Sequence, residues 1–313
     1  MSLGDNPIET IPVTRALKRS RGRWRVLAFL ALALAVFFAL ARYTPGPFGI
    51  PDAGIARVSI TGTITTDRER SAVLAQLARD DRITAVIVDI NSPGGTTAGG
   101  EELYASLRAL AEQKPVVSTI GELGASAAYM AAIATDQIYA RNLSIVGSIG
   151  VYYQHVDAGR LFDTIGVDLD KVASGPLKSE PDFDEPITPQ VRESLENLVG
   201  SSFDYFLDLV IERRALSRAR VLELADGRIL SGIDALEAGL IDATGGQTEA
   251  LAWLESEHDI DPDASIREFW PQDDGGSWID FFIGQGAAAL MGQWTDRGLP
   301  LDGLVSLWHP SGQ

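Results

Sequence analysis

This chain contains one serine and one lysine whose side chains and sequence context suit the cleavage of an acyl bond. Ser126 lies where small residues give way to a helix-forming run, and Lys178 follows 52 positions later. Only four of the 26 basic residues are lysines, so arginine supplies most of the positive charge. Arginine stays protonated, whereas a desolvated lysine can act as a general base near neutral pH. The pair therefore predicts a serine–lysine hydrolytic dyad.

The place of Ser126 at the start of a predicted helix offers a way to stabilise negative charge. Backbone N–H groups at a helix N-terminus lack intrahelical acceptors, and the helix dipole favours an anion there. The N–H of Ala127 can therefore donate to an oxyanion. A small serine ahead of a packed helix is also an ordinary structural feature, so this motif alone does not identify an enzyme.

An Asn-Ser-Pro-Gly-Gly sequence at residues 91–95 directly follows the apolar run Ile83–Ile90. The run predicts a strand buried on both faces, and ligands of α/β sheets bind beyond the carboxyl ends of the strands. Gly94 supports a tight turn there, and Gly95 lets the backbone aim a second N–H at an oxyanion. A plain Pro-Gly turn is the alternative interpretation.

Together these motifs resemble the signal peptide peptidase A family of bacterial serine–lysine proteases. The resemblance covers residues 56–246 and includes the Gly-Ser-Ile-Gly sequence of residues 147–150, where the Ser148 hydroxyl can orient a lysine amine. It also includes the spacing from Ser126 to Lys178. The resemblance implies an α/β fold of the Clp protease/crotonase-like type, built from repeated ββα units.

The family's functional residues can be carried over to this chain one by one. The resemblance implies that Ser126 is the nucleophile, that Lys178 is the general base and that Ser148 hydrogen-bonds the lysine. Gly95 and Ala127 would supply the oxyanion N–H groups. Family members form rings or domes in which the dyad joins neighbouring protomers, so a homo-oligomer with a shared dyad is expected. No cofactor and no metal are expected.

Histidine chemistry is the main alternative at the same serine. The chain has three histidines, and a Ser–His–Asp triad would need His155, which follows a strand-like segment, as its base. There is no cysteine, which excludes thiol catalysis and disulfides. No histidine cluster has metal-ligand spacing, and the glycine-rich stretches lack a phosphate-loop or dinucleotide fingerprint.

The charge is distributed unevenly along the chain. The net charge is −17 overall, but residues 1–42 carry a net +5, which leaves about −22 on the remainder. Nucleic-acid binding needs a basic face for phosphate contacts, so this acidic remainder argues against it. The charge argues against nucleic acid as a partner, and the family resemblance implies peptide substrates, such as signal peptides and unfolded protein.

The N-terminal part predicts a membrane anchor. Residues 1–25 are basic and expected in the cytoplasm, residues 26–42 form a predicted transmembrane signal anchor, and residues 43–54 are a Pro/Gly-rich linker. This places the catalytic domain on the periplasmic or extracytoplasmic face of a bacterial inner membrane. A cleaved secretory signal is the alternative, because Ala-Leu-Ala at residues 39–41 fits a cleavage site.

After the linker, strand and helix patterns alternate, which predicts an α/β domain with mostly parallel strands. The predicted protease domain spans residues 55–246, and an acidic and apolar extension spans 247–313. Within the domain, Val167–Val172 is predicted as a strand and Pro189–Ala215 as a long helix. The apolar segment Trp278–Trp294 is expected to pack on the domain or on a neighbouring subunit.

The sequence therefore predicts a membrane-anchored serine endopeptidase that degrades remnant signal peptides and unfolded exported protein. Two hypotheses from other classes remain open at this point. One is a catalytically silent membrane scaffold with the same fold. The other is a crotonase-like acyl-thioester enzyme, for which an exported domain is a poor location because its coenzyme is cytoplasmic.

Overall fold

The structure, a computed structural model, describes residues 28–33, 35, 54–269 and 304–307. Met1–Asp52 and Ala53–Gln313 form two units. In the first unit, helix α1 comprises residues 28–33 and 35, and their side chains are exposed. Over the described residues, no helix combines the length and the apolarity that crossing a membrane requires.

Several predictions fall on parts of the chain outside the described residues. They are most of the anchor at 26–42, nearly all of the linker at 43–54 and the apolar segment Trp278–Trp294. The anchor and the packing of that segment therefore stay predictions.

Parallel strands form the centre of the sheet in the second unit. Their bounds are Gly54–Ile64 for β1, Ile83–Thr96 for β2, Val116–Ala125 for β3, Gln137–Ala140 for β4, Ala243–Thr244 for β8 and Ile266–Glu268 for β9. They lie side by side in the order β9–β1–β2–β3–β4–β8, with every neighbouring pair parallel. This arrangement confirms the prediction of an α/β domain with mostly parallel strands.

The remaining strands gather at the carboxyl ends of β2 and β3. They are β5 (Ile145–Gly147), β6 (Tyr152–Tyr153), β7 (Ile229–Ser231) and β10 (Leu304–Leu307). Strand β5 pairs in parallel with the end of β3 and antiparallel with β7. Strand β10 pairs antiparallel with both β2 and β6. The sheet is therefore extended on the side where the sequence predicts chemistry.

Helices connect these strands and cover the sheet. They are α2 (Arg68–Arg79), α3 (Thr97–Ala111), α4 (Ala127–Ile133), α5 (Gly159–Ile165), α6 (Pro189–Arg214), α7 (Arg218–Leu224), α8 (Gly232–Glu237) and α9 (Gln247–His258). The predicted long helix is confirmed as α6, which starts with Thr188 accepting a hydrogen bond from the Val191 N–H and with proline in the first turn. Thr96 caps α3 in the same way.

The apolar run of β2 separates the core into two parts. Val86, Val88 and Ile90 belong to a large cluster with α3, α4 and α6, whereas Ala85 and Ile87 face a smaller cluster that includes residues of α9. Successive side chains of a strand point to opposite faces, so a nearly continuous apolar run is what a strand covered on both faces requires.

The strand predicted at Val167–Val172 is wrong. These residues form an irregular segment after α5, and their apolar side chains are exposed, with Val172 at 100% of its full accessibility. Their β-branched residues favour a strand, but a strand forms only where a neighbour accepts its backbone hydrogen bonds. Within one chain, nothing in the described part pairs with this segment.

Candidate active site

The glycine turn at the end of β2 is fixed by close backbone packing. Gly94 has φ +106°, in the region that favours glycine. The Ser92 hydroxyl donates to the Gly62 carbonyl over 2.6 Å and accepts from the Gly94 N–H over 3.2 Å. Gly95 lies beside Ile64 of β1 in the sheet register. The turn is therefore a rigid part of the sheet.

Ser126 lies on a sharp turn between β3 and α4. Its φ of 59° and ψ of −121° are unusual for a residue with a side chain, and such a conformation costs about 1–3 kcal/mol. The residue is buried, its N–H donates to the Gly147 carbonyl over 2.8 Å, and its carbonyl accepts from the Met130 N–H over 2.9 Å. Nucleophilic serines of other hydrolases occupy strained strand-to-helix turns of this kind.

The helix that begins after Ser126 is held at both ends. The buried Tyr129 hydroxyl donates to the Leu240 carbonyl over 2.7 Å, and burial raises the pKa of Tyr129. At the other end, the Arg213 guanidinium donates to the Ile133 carbonyl over 2.8 Å. Because helix ends leave backbone groups unpaired, these contacts fix α4 and the turn that precedes it.

Strand pairing brings the predicted residues of three separate segments to one edge of the sheet. Ser92 of β2 pairs with Gly124 of β3, which places the glycine turn beside the residues that lead into Ser126. Ala125 pairs with Gly147 of β5, so Ser148 follows directly on the neighbouring strand. Ala127 is the first residue of α4, so its N–H has no acceptor within that helix.

Ser148 also has an unusual backbone, and it lines an open cavity. Its φ is +51°, and its N–H donates to the Arg228 carbonyl over 2.8 Å. The cavity has a volume of about 760 Å³. Its walls come from β6, from one face of α6 and from the segment before β7, and include Tyr152, Arg192, Glu196, Phe203 and Asp226. A cavity of this size can admit a segment of another chain.

Lys178 is not joined to Ser126 within one chain. It lies exposed in a turn, where its backbone N–H donates to the Gly175 carbonyl over 3.1 Å. Among the residues that the structure describes, its side chain has no hydrogen-bond or ion-pair partner. The single chain therefore assembles the serine, the glycine turn and Ser148, but not the lysine.

His155 is engaged elsewhere. Its Nε2 lies 3.2 Å from the Glu185 carbonyl oxygen, in the segment that follows the Lys178 turn. The geometry gives His155 a structural role in holding this segment.

A second lysine organises the segment that carries Lys178, and the sequence predictions missed it. The Lys171 ammonium donates to Glu180 over 2.6 Å, to Glu185 over 2.8 Å and to Asp182 over 3.0 Å. These hydrogen bonds, that to Glu180 foremost, raise the pKa of Lys171. The same scarcity of lysine that singles out Lys178 also applies to Lys171, so that signal was present in the sequence.

Similarity to known proteins agrees with this arrangement. The sequence model of peptidase family S49 matches residues 108–261 of this chain, a range that includes Ser126, Ser148 and Lys178. The protein slr0021 of Synechocystis is 36% identical over 67% of this chain and 76% of its own length. The protein MJ0651 of Methanocaldococcus jannaschii is 32% identical over 71% of each chain. The chain belongs to peptidase family S49.

The relatives of this S49 chain also indicate the class of peptidase. Serine protease SPPA, chloroplastic, of Arabidopsis thaliana is 30% identical over 66% of this chain and 29% of its own length. The prediction of a serine peptidase that resembles signal peptide peptidase A is thereby confirmed. The roles of the individual site residues stay predictions.

Substituting Gly95 with alanine should damage both the fold and the activity of this S49 peptidase. A Cβ at Gly95 would lie 1.8 Å from the Ile64 carbonyl oxygen, which cannot move without disturbing the β1–β2 pairing. We expect a loss of about 3 kcal/mol of stability and at least a ~10²-fold loss of kcat, because the turn would shift the N–H that the sequence predicts to bind the oxyanion.

The matched control is Gly121→Ala in β3, where the nearest atom to an added Cβ lies at 3.7 Å. Thermal unfolding and peptide hydrolysis of the two variants test the prediction. Equal stability and activity of the two variants would show that the close approach at Gly95 does not matter.

Proposed function

We propose that this S49 peptidase is a membrane-anchored endopeptidase in which Ser126 is the nucleophile and Lys178 is the general base. The observation that carries the proposal is the position of Ser126. It lies on a strained turn at the N-terminal end of α4, beside the glycine turn of β2 and one strand away from Ser148. The nucleophile and its oxyanion donors thus come from rigid elements of one sheet edge.

The proposed reaction proceeds through an acyl-enzyme. The Ser126 hydroxyl attacks the peptide carbonyl while neutral Lys178 accepts its proton, and the N–H groups of Gly95 and Ala127 stabilise the resulting oxyanion. The protonated lysine then gives this proton to the leaving amine. Water attacks the ester, Lys178 takes its proton, and return of that proton to Ser126 restores the enzyme. Ser148 holds the lysine amine in position.

A second copy of the chain is proposed to supply the lysine. Burial lowers the pKa of a lysine and allows it to act as a base, yet Lys178 is exposed in the single chain. Eight large apolar side chains in the same stretch of chain, residues 156–183, are exposed too, and they are Val156, Leu161, Ile165, Val167, Leu169, Val172, Leu177 and Phe183. Exposed apolar side chains in such number favour burial against another subunit.

The cavity beside Ser148 is the proposed place of entry for the partner's lysine segment. Asp226 in its wall is already paired with Arg228, and Arg192 offsets the charge of Glu196, so the charges do not select a cation. Tyr152 and Phe203 suit the apolar side chains that flank the lysine, and these carry the proposal. The homo-oligomer would then complete each active site with a neighbour's residue, as a heterologous ring allows.

The proposed substrates are apolar peptides in extended conformation, in particular remnant signal peptides and unfolded exported protein. A smaller cavity of about 250 Å³ next to α4 is lined by Ala98, Met130 and Val151, with Glu101 and Tyr205 among the residues that complete its walls. Thr97, Ser201 and Ser202 make the rest of its walls polar, so we propose that it takes one small side chain of the substrate without selecting for an apolar one. We further propose the Clp protease/crotonase-like type of fold, and a domain on the extracytoplasmic face of the membrane behind residues 26–42.

The test of the proposed function is chemical labelling of the full-length chain in detergent. A serine-directed acylating probe should modify Ser126, as located by mass spectrometry of the digested protein, and should stop hydrolysis of an unfolded protein in parallel. Modification of a different serine would overturn the assignment of the nucleophile. Absence of both labelling and hydrolysis in a correctly assembled protein would favour the membrane scaffold instead.

The Lys171 cluster leads to a prediction about the positioning of Lys178. Lys171→Met removes the cation that joins Glu180, Asp182 and Glu185, so their carboxylates repel one another and the segment loses its fixed shape. We expect kcat to fall by up to about 10²-fold with KM nearly unchanged, because the base is displaced rather than the substrate site.

Steady-state kinetics of Lys171→Met and Lys171→Arg check this prediction. The arginine variant keeps the charge and can still donate to carboxylates, so it should recover a large part of kcat. A change in KM alone, or equal losses in both variants, would contradict the positioning role.

A further inference from the structure

A single peptide group connects the backbones of the two serines of the candidate active site. The Gly147 carbonyl accepts from the Ser126 N–H over 2.8 Å. The N–H of the same peptide group, which belongs to Ser148, donates to the Arg228 carbonyl, also over 2.8 Å. Because a peptide group is planar and rigid, its carbonyl and its N–H cannot move independently. The position of the Arg228 carbonyl therefore reaches Ser126 through two hydrogen bonds.

This connection lies between two residues with strained backbones. Ser126 has φ +59° and Ser148 has φ +51°, a region that residues with a side chain seldom adopt. Such conformations persist only where the surrounding contacts hold them. In a trans peptide the carbonyl and the N–H point in opposite directions, so the peptide group is held by Ser126 on one side and by Arg228 on the other.

Arg228 lies where strand pairing alone holds the backbone least. It directly precedes β7, and the last register pair between β5 and β7 is that of Gly147 with Ile229. The ends of a strand ladder open more easily than its middle. The turn that leads into β7 must therefore supply the contacts that keep the Arg228 carbonyl in place.

The Asp226 carboxylate supplies these contacts. Its Oδ1 accepts from the Arg228 N–H over 3.0 Å and from the Arg228 Nε over 2.8 Å, and its Oδ2 accepts from Nη2 over 2.5 Å. The hydrogen bonds from the Arg228 side chain, foremost, lower the pKa of Asp226 to about 2. Gly227 between them has φ +84°, which the turn requires. An exposed ion pair adds little stability, so its effect is on geometry.

We propose that Asp226 is a positioning residue, which sets the backbones of Ser148 and Ser126 through Arg228 and the peptide group that joins residues 147 and 148. This inference rests on the proposed function, because it takes Ser126 to be the nucleophile and Ser148 to hold the lysine amine. When the Arg228 carbonyl shifts, both serines shift together. A small displacement of a reacting group costs rate without affecting substrate binding.

Steady-state kinetics of variants at position 226 give the first test. Asp226→Ala should lower kcat about tenfold with KM nearly unchanged. Asp226→Asn keeps an oxygen that accepts from Arg228, so it should recover a large part of kcat. The matched control is Glu223→Ala, which removes an equally exposed partner of Arg220 in α7 and should leave kcat unchanged. Wild-type kcat in Asp226→Ala, or a change in KM alone, would overturn the inference.

Amide hydrogen exchange separates this inference from the proposed function, because it needs no catalysis. In the full-length chain in detergent, Asp226→Ala should speed exchange of the Ser126 and Ser148 amides about tenfold, and Glu223→Ala should not. The Val88 amide of β2 serves as the internal reference. A turn that loosens only at the surface would leave the buried Ser126 amide protected. Unchanged protection of Ser126 would overturn the inference even if Ser126 proves to be the nucleophile. Faster exchange would support the connection even if the protein proves to hydrolyse no peptide.

Discussion

Replacing Ser126 with alanine is expected to abolish peptide hydrolysis and leave the fold intact. Loss of a nucleophile that acts together with its base lowers kcat by roughly 10⁴-fold or more, and the rate that remains comes from binding and the oxyanion donors. A φ of 59° strains alanine as much as it strains serine, so the variant keeps the backbone strain of the turn. Any change in activity then reports on the hydroxyl group.

Ser126→Gly is the matched control for this prediction. Glycine adopts the observed backbone conformation without strain, so the variant should be inactive but more stable by about 1 kcal/mol, which shifts Tm upward by about 2–4 °C. Hydrolysis of an unfolded protein and thermal unfolding are measured for the wild type and both variants. Activity in either variant would exclude Ser126 as the nucleophile, and a lower Tm in the glycine variant would contradict the strain.

The second large effect concerns Lys178, the proposed general base, and the question of which chain's Ser126 it serves. Lys178→Ala should be as inactive as Ser126→Ala, and Lys178→Arg should be inactive too, because a guanidinium does not give up its proton. When Ser126→Ala and Lys178→Ala chains are co-expressed and purified as mixed assemblies, about a quarter of the wild-type activity should return. In a randomly mixed ring, about half of the sites receive an intact serine from one chain, and about half of those receive an intact lysine from the adjoining chain. About a quarter of the sites are therefore complete.

The mixed assembly distinguishes a shared dyad from one within a single chain. If each chain completed its own site, activity would stay absent, because no chain in the mixture carries both Ser126 and Lys178. Full activity of Lys178→Ala by itself would show that another group is the base, and His155 would be the next residue to test. Two tags of different charge on the two chains allow the mixed species to be isolated and their oligomeric state measured.

Local sequence features determined several elements of this protein. The apolar run of β2 indicated a strand covered on both faces, and the glycines that follow it indicated a turn, because both patterns are visible in adjacent residues. The proline and threonine at the start of α6 fixed that helix in the same way. The residue types at Ser126 and Lys178 indicated the chemistry, and membership of family S49 confirms a serine peptidase.

Contacts between residues far apart in sequence decided the rest. The β-branched residues of Val167–Val172 predicted a strand that does not form, since no described neighbour accepts its hydrogen bonds. The proximity of Ser148 to Ser126 depends on β5 pairing with β3, and the charge cluster at Lys171 depends on the path of an irregular segment. The pairing of β10 with β2 and β6 follows from exposed strand edges, which any extended segment can join, so four residues of sequence could not reveal it.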